Sequence, residues 1–340
     1  MGKTFLVVVL PVLVGATAIA VFGILRRKVM KTQAISPLQY LMVTTGIAMV
    51  SFGILHISLW GLTMPITLPG FWTAVACGVG ANTLIQFFNV KAASIDKGEV
   101  SLTAPLQAMT PGLITGLAIV LGEYPSRIGV AGIVLIALGS YVLLWEKTPT
   151  RWYEYLGPVR RIVLLLKLGH LSPAERNKTI VVSLALASAA MGTIGLLFDG
   201  LYTRRGINMQ GLVFASWGFM LMLLLVYCAW YAILPDAKLD QRFSAVLSWK
   251  IALPILVIGC LWVVINLTIQ PTFNRTYVAY TGTLKRLSIL MSVVLGYYIF
   301  REEDFRKRLW AAILIVAGVL LIASDNLPAR LSTRIEGLGL

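Results

Sequence analysis

Lys285 and Arg286 stand side by side in an otherwise apolar stretch, about 276–299, long enough to cross a bilayer. Counted from Thr276, Lys285 falls about 14 Å along a helix, near the middle of a hydrocarbon core of about 30 Å. A charge at that depth costs at least about 2.5–3.5 kcal/mol on insertion scales, so the pair needs a partner or a watery cavity. No acidic residue is expected at matching depth, because Asp199 falls close to the end of its own span. That leaves a bound anion as the counter-charge: Arg offers a planar fork suited to phosphate or carboxylate, and Lys a point charge beside it. Two other readings stand. The helix starts later and both side chains snorkel to the interface, or a broken helix offers its carbonyls to the pair.

The remaining polar groups expected inside spans are carboxamides and one imidazole. Asn82, Gln86 and Asn89 follow i, i+4, i+7 spacing and share one helix face, which either lines a cavity or glues helices together. Gln107, Asn266 and Gln270 are the other amides, and the first two join the candidate substrate-binding set with Lys285, Arg286, Asn82, Gln86 and Asn89. His56 reads as a packed, hydrogen-bonded side chain before it reads as a proton relay. Pro105, Pro111, Gly112 and Gly116 predict a kinked segment that neighbours can approach closely. No nucleophile–base pairing, phosphate-cradling loop or metal cluster stands out, so neither an enzyme nor a cofactor is expected. Cys77, Cys228 and Cys260 all fall inside spans and give neither a disulfide framework nor ligand spacing.

These groups must be positioned by membrane-spanning helices. Of the 340 residues, 58% are apolar and 13% charged, far from the balance of a soluble domain. Ten apolar segments recur, at about 4–25, 37–60, 71–93, 101–121, 128–145, 179–202, 210–233, 248–270, 276–299 and 309–325. Backbone polar groups in lipid must be satisfied internally, so these are helices; the short alternating segments of a barrel are missing. The first segment reads as a retained span rather than a leader, since Arg26-Arg27-Lys28 follows it with no small-residue cleavage site.

The expected organisation is an all-α polytopic membrane protein with ten transmembrane helices in two inverted five-helix repeats. Residues 1–145 form the first repeat, 146–178 a basic amphipathic linker, 179–327 the second repeat and 328–340 a C-terminal tail. In the linker, Arg160 to Lys167 is either an amphipathic helix in the headgroup region or a plain basic loop. Ser172-Pro173-Ala174-Glu175 reads as a capping box with Pro at the first helical position. An offset of 179 residues sets Glu123 against Glu302, and Gly132 to Gly139 against Ala311 to Gly318. Arg26-Arg27 likewise matches Arg204-Arg205 at a slightly different offset. Five spans is an odd number, so the second copy enters the membrane inverted, an arrangement used for alternating access.

Two stretches carry a family resemblance. Ser101 to Leu106, Thr110-Pro111-Gly112, Leu121-Gly122-Glu123 and Gly132 to Leu144 form one; Lys285 to Ser288, Gly296, Arg301-Glu302-Glu303 and Ala311 to Ile322 form the other. Together they resemble the drug/metabolite transporter superfamily in its ten-helix EamA-like form. The resemblance implies a secondary transporter or exchanger, and a Lys-Arg pair like Lys285-Arg286 occurs in its phosphate-handling branches. The expected cargo is a small, anionic, plausibly phosphate-bearing metabolite. The alternatives are a flippase for a phosphate-linked lipid and an embedded lipid-phosphate enzyme.

The net charge of +15 points to anionic membrane lipids as partners rather than nucleic acid. Seven cationic residues fall on the side of the termini (Lys3, Arg127, Arg204, Arg205, Arg275, Arg330 and Arg334), against twenty on the linker side. The positive-inside rule therefore places the linker in the cytoplasm and the termini outside, opposite to the family habit. The expected location is a multi-pass protein of the inner (plasma) membrane, with its oligomeric state left open.

Overall fold

The computed structural model describes residues 5–32, 34–65, 71–95, 113–114, 117, 124–143, 156, 173–203, 208–233, 248–276, 278–285, 287–288, 291, 295 and 305–324. Calls on Arg286, Gln107, Pro105, Pro111, Gly112, Gly116, Glu123, Glu302 and the segment Arg160 to Lys167 lie outside the described residues. Every regular element among those described is helical.

A single π-helical turn, Phe5–Val9, runs into α1, Leu10–Lys31. Then come α2 (Pro37–Trp60), α3 (Phe71–Ser94), α4 (Arg127–Leu143), α5 (Pro173–Thr203), α6 (Met209–Ile233) and α7 (Trp249–Ile269). A 3₁₀ turn, Gln270–Asn274, follows, and then α8 (Val278–Leu284) and α9 (Phe305–Ser324). Among the described residues, five stretches are long and apolar enough to cross a membrane: Val7–Lys31, Pro37–Trp60, Ser183–Gly200, Met209–Ile233 and Trp249–Asn274, with mean hydropathy between 1.4 and 2.6. Large apolar side chains face outward along them, among them Ile54 at 61% and Leu225 at 54% exposure. Water would leave such a surface strongly disfavoured, whereas lipid accepts it. The chain is a helical integral membrane protein.

Local chemistry fixes several helix starts. Ser36 accepts a hydrogen bond from the Gln39 backbone N–H (3.2 Å), and Gln39 Oε1 accepts one from the Ser36 N–H (2.9 Å). With Pro37 at the first helical position, this capping box settles the entry to α2. α5 is described from Pro173 onward; the expected cap at Ser172 lies outside the described residues. At the other end of α1 the expectation fails. The helix does not stop at residue 25 but carries Arg26, Arg27 and Lys28 as helical residues to Lys31. Arg and Lys are good helix formers, so the change from apolar to basic side chains marks no break in the backbone.

The helices pair in a regular scheme: α1 with α7, α3 with α5, α2 with α6, and α4 with α9. Each pair is antiparallel. Phe22 meets Trp262 edge-on at 5.6 Å, while Gly15 lies under Ile269. Gly53 lies against Trp217 and Gly46 against Leu224. In α4 and α9, a Cβ built on Gly318 would lie 2.6 Å from the Gly132 carbonyl oxygen, and one on Gly139 would lie 2.8 Å from that of Ala311. Lipid tails are as apolar as the side chains, so helices in a bilayer gain by close backbone approach, which these small residues permit.

Candidate functional site

A cavity of about 280 Å³ opens between α1, α3, α5, α6 and α7, close to the size of pockets that hold small ligands. Of the residues expected to bind substrate, Asn82, Gln86, Asn89, Asn266 and Lys285 all line it. Gln107 and Arg286 lie outside the described residues. Asn82 sits 11 residues into α3, about 16 Å along this 24-residue helix, so the carboxamide face begins near the middle of the helix.

The carboxamides are arranged in twins. Asn82 Nδ2 donates to the Gly78 carbonyl oxygen at 3.0 Å, and Asn266 Nδ2 donates to that of Trp262 at 2.9 Å. Each bond ties the amide to its own helix, four residues back, and leaves the side-chain oxygen without a hydrogen-bond partner among the described residues. Gln86 and Gln270 follow four residues later, one turn on, and both line the same space. The signal for this was in the sequence, as Asn82-Thr83-Leu84-Ile85-Gln86 and Asn266-Leu267-Thr268-Ile269-Gln270, but at an offset of 184 residues rather than 179. Ser188 and Ser216 add hydroxyls to the walls.

Two corrections concern charge. Lys285 does have an acidic neighbour: Asp199 lies in its electrostatic field and accepts a hydrogen bond from Gln270, and all three line the cavity. The expectation of a missing counter-charge fails because α5 and α8 bring their ends together, Val278 packing onto Gly200. Lys285 follows directly on Leu284, the last residue of α8. Its N–H donates to the Thr281 carbonyl oxygen (2.9 Å), and the Ser288 N–H donates to its own carbonyl oxygen (3.1 Å).

The second correction is Arg26. Read from sequence as a loop cation, it lines the cavity with its guanidinium 5.6 Å from the centre of the Phe22 ring, a cation–π contact. Helix pairing orders the polar groups along the cavity. Arg26, Asn89 and Ser188 lie toward one end, and Asp199, Gln270 and Lys285 toward the other. Ser188 and Asp199 are 11 residues apart on α5, which sets a length of about 16 Å.

His56 is away from this site. It is 1% exposed, its Nε2 lies 2.8 Å from the Thr63 carbonyl oxygen, and Trp60, Phe214 and Trp217 surround its ring. This is the packed, hydrogen-bonded histidine that the sequence favoured. Among the described residues no group of three or more His, Cys, Asp or Glu side chains is placed to hold a metal.

No family model matches the chain, and no curated protein does. A solved structure described only as "Crystal structure of protein" is similar to it, with 17% sequence identity and a TM-score of 0.64. The match covers 92% of this chain and 95% of the other, so the two share a fold along nearly their whole length.

Proposed function

We propose that the chain is a secondary transporter or exchanger that carries a small anion, plausibly phosphate-bearing, through this cavity. The observation that carries the reading is the cavity itself: a partly open space between apolar helices, lined by Arg26, Lys285 and, among the described residues, the one carboxylate of Asp199. Buried charge in a membrane protein is costly and marks ion or substrate pathways. Among the described residues the walls supply hydrogen bonding without a nucleophile and base in reach of one another, which suits binding and release.

Alternating access needs a frame that can open to either side, and an inverted repeat provides one. Three observations support ten spans in two inverted five-helix repeats. The pairing of α1 with α7 is the counterpart of α5 with α3 under exchange of the halves, while α2–α6 and α4–α9 are their own counterparts. The Asn-x-x-Ile-Gln segments are twinned with equivalent hydrogen bonds. Around Gly318 the near atoms belong to Gly132 and Ile136, and around Gly139 to Ala311 and Ile315, each residue displaced by 179. The EamA-like form of the drug/metabolite transporter superfamily is the family this reading favours, with the inner membrane as its setting.

Uptake into proteoliposomes of sugar phosphates, lipid phosphates, and neutral or cationic metabolites tests the reading. Uptake of a phosphate-bearing compound, lost when Lys285→Gln and Arg286→Gln are combined, is the expected result. Uptake of neutral or cationic compounds alone, equal in wild type and variant, would refute it.

A further inference from the structure

We infer that the cargo's anionic group is seated on Arg26 rather than on Lys285, at the end of the cavity that Asn89 and Ser188 share. This rests on the transport reading above and specifies the site within it. Lys285 has the Asp199 carboxylate as its electrostatic neighbour, and Gln270 completes that cluster with a hydrogen bond to the carboxylate. Among the described residues Arg26 has no such acidic partner; its neighbours are the Phe22 ring and Tyr40. A ring face leaves the outer N–H donors of a guanidinium unused. Tyr40 adds a second donor nearby: it is 1% exposed, and its hydroxyl has no hydrogen-bond partner among the described residues. Guanidinium donors in a planar fork fit the oxygens of a phosphate monoester or a carboxylate.

The rest of the cavity says what the anion is attached to. Neither Gln86 nor Asn89 has a hydrogen-bond partner among the described residues, and the side-chain oxygens of Asn82 and Asn266, which also line the cavity, have none there either. Those oxygens accept from hydroxyl or amide N–H groups. The ligand class is therefore an elongated oxyanion with a donor-bearing body, its charged end on Arg26 and its far end toward the Asp199–Lys285 cluster about 16 Å away.

The test reads the local field without knowing the cargo. Asn89→Cys is introduced into the full chain after Cys77, Cys228 and Cys260 are replaced by Ala, in a non-ionic detergent. The new thiol is reacted with anionic sulfonatoethyl and cationic trimethylammonium-ethyl methanethiosulfonates. The anionic reagent should react faster relative to the cationic one, and Arg26→Gln should lower that ratio about tenfold, the lower end of what a focused charge does to local ion concentration. Lys285→Gln should leave it nearly unchanged, since that charge is distant and compensated. An unchanged ratio in Arg26→Gln, or a fall only in Lys285→Gln, would overturn the assignment. Should Arg26→Gln not fold, Arg26→Lys is expected to keep the ratio, and inorganic phosphate to slow the anionic reagent; no slowing overturns the seat. A chain that moves no anion would still show the Arg26-dependent ratio, so this outcome and that of the uptake assay fail separately.

Discussion

The contact between α4 and α9 makes an energetic prediction that tests the proposed internal symmetry. Gly139→Leu and Gly318→Leu occupy equivalent positions, 179 residues apart. A Cβ alone would lie 2.8 Å from the Ala311 oxygen and Ile315 Cγ1 in the first case, and 2.6 Å from the Gly132 oxygen and Ile136 Cγ1 in the second. An ordinary carbon–oxygen contact is about 3.3 Å or longer, so each substitution forces the helices apart by roughly 0.5–0.7 Å or more. Backbone atoms are what it meets, and they cannot rotate away. Overpacking of this kind costs about 1–3 kcal/mol, and the bulk beyond Cβ places Leu at the upper end, while better helix propensity returns somewhat under 1 kcal/mol. A net loss of about 2 kcal/mol against an unfolding entropy of roughly 0.7 kcal/mol per degree for a chain this long lowers Tm by about 3 °C. Thermal unfolding in detergent should give nearly the same fall for both variants. The double variant should fall by less than the two together, because one separation of the helices relieves both sites. A large fall for one and none for the other would refute the symmetric interface.

Further outcomes follow from the site and its supports. Asp199→Asn leaves Lys285 without its carboxylate and should destabilise by about 1–3 kcal/mol, with Asp199→Asn combined with Lys285→Gln recovering part of the loss in the same unfolding assay. His56→Gln should keep uptake intact and lower stability by about 1 kcal/mol through the lost packing and Thr63 contact, whereas a proton relay would lose uptake. Ser36→Ala removes the cap of α2 and should cost about 1 kcal/mol, measured by thermal unfolding against Ser36→Asp, which retains an acceptor.

Much of the frame was legible because a membrane helix announces itself by length and hydropathy. The expected spans at 37–60, 71–93, 210–233 and 248–270 match α2, α3, α6 and α7 to within a residue or two. The carboxamide face on α3 was legible as well, since i, i+4, i+7 spacing needs only the helical period. What could not be read was pairing. Asp199 and Lys285 are far apart in sequence and meet only because α5 and α8 converge, and no single-helix argument carries that information. Arg26 was misplaced for a different reason: hydropathy locates the end of the apolar stretch, not the end of the helix, and here the helix continues past it.

The division between what is twinned and what is single bears on how such a cavity would work. Asn82 and Gln86 have sequence counterparts in Asn266 and Gln270, so neutral hydrogen-bonding groups recur in both halves of the chain. Of the charges, Asp199 and Lys285 have none, and Arg26, which meets Arg204 at an offset of 178, loses that match when the glycines of α1 and α5 are aligned. Gly15 and Gly23 of α1 align with Gly192 and Gly200 of α5 at an offset of 177, which sets Phe22 opposite Asp199 and Thr203 opposite Arg26. Lys285 falls opposite Leu106 at the offset of 179. On the transport reading, exchanging inward and outward states amounts to exchanging the roles of the halves. Twinned groups then hold the body of the cargo about equally in both states, and a group that binds both equally shifts no equilibrium. Only the single groups distinguish the states. The bias between loading and release must therefore come from Arg26 at one end and the Asp199–Lys285 pair at the other. Substitutions of the carboxamides should weaken binding from both sides alike, while Arg26→Gln should change the ratio of affinities measured in right-side-out and inside-out vesicles. An unchanged ratio would show that the bias arises elsewhere in the chain.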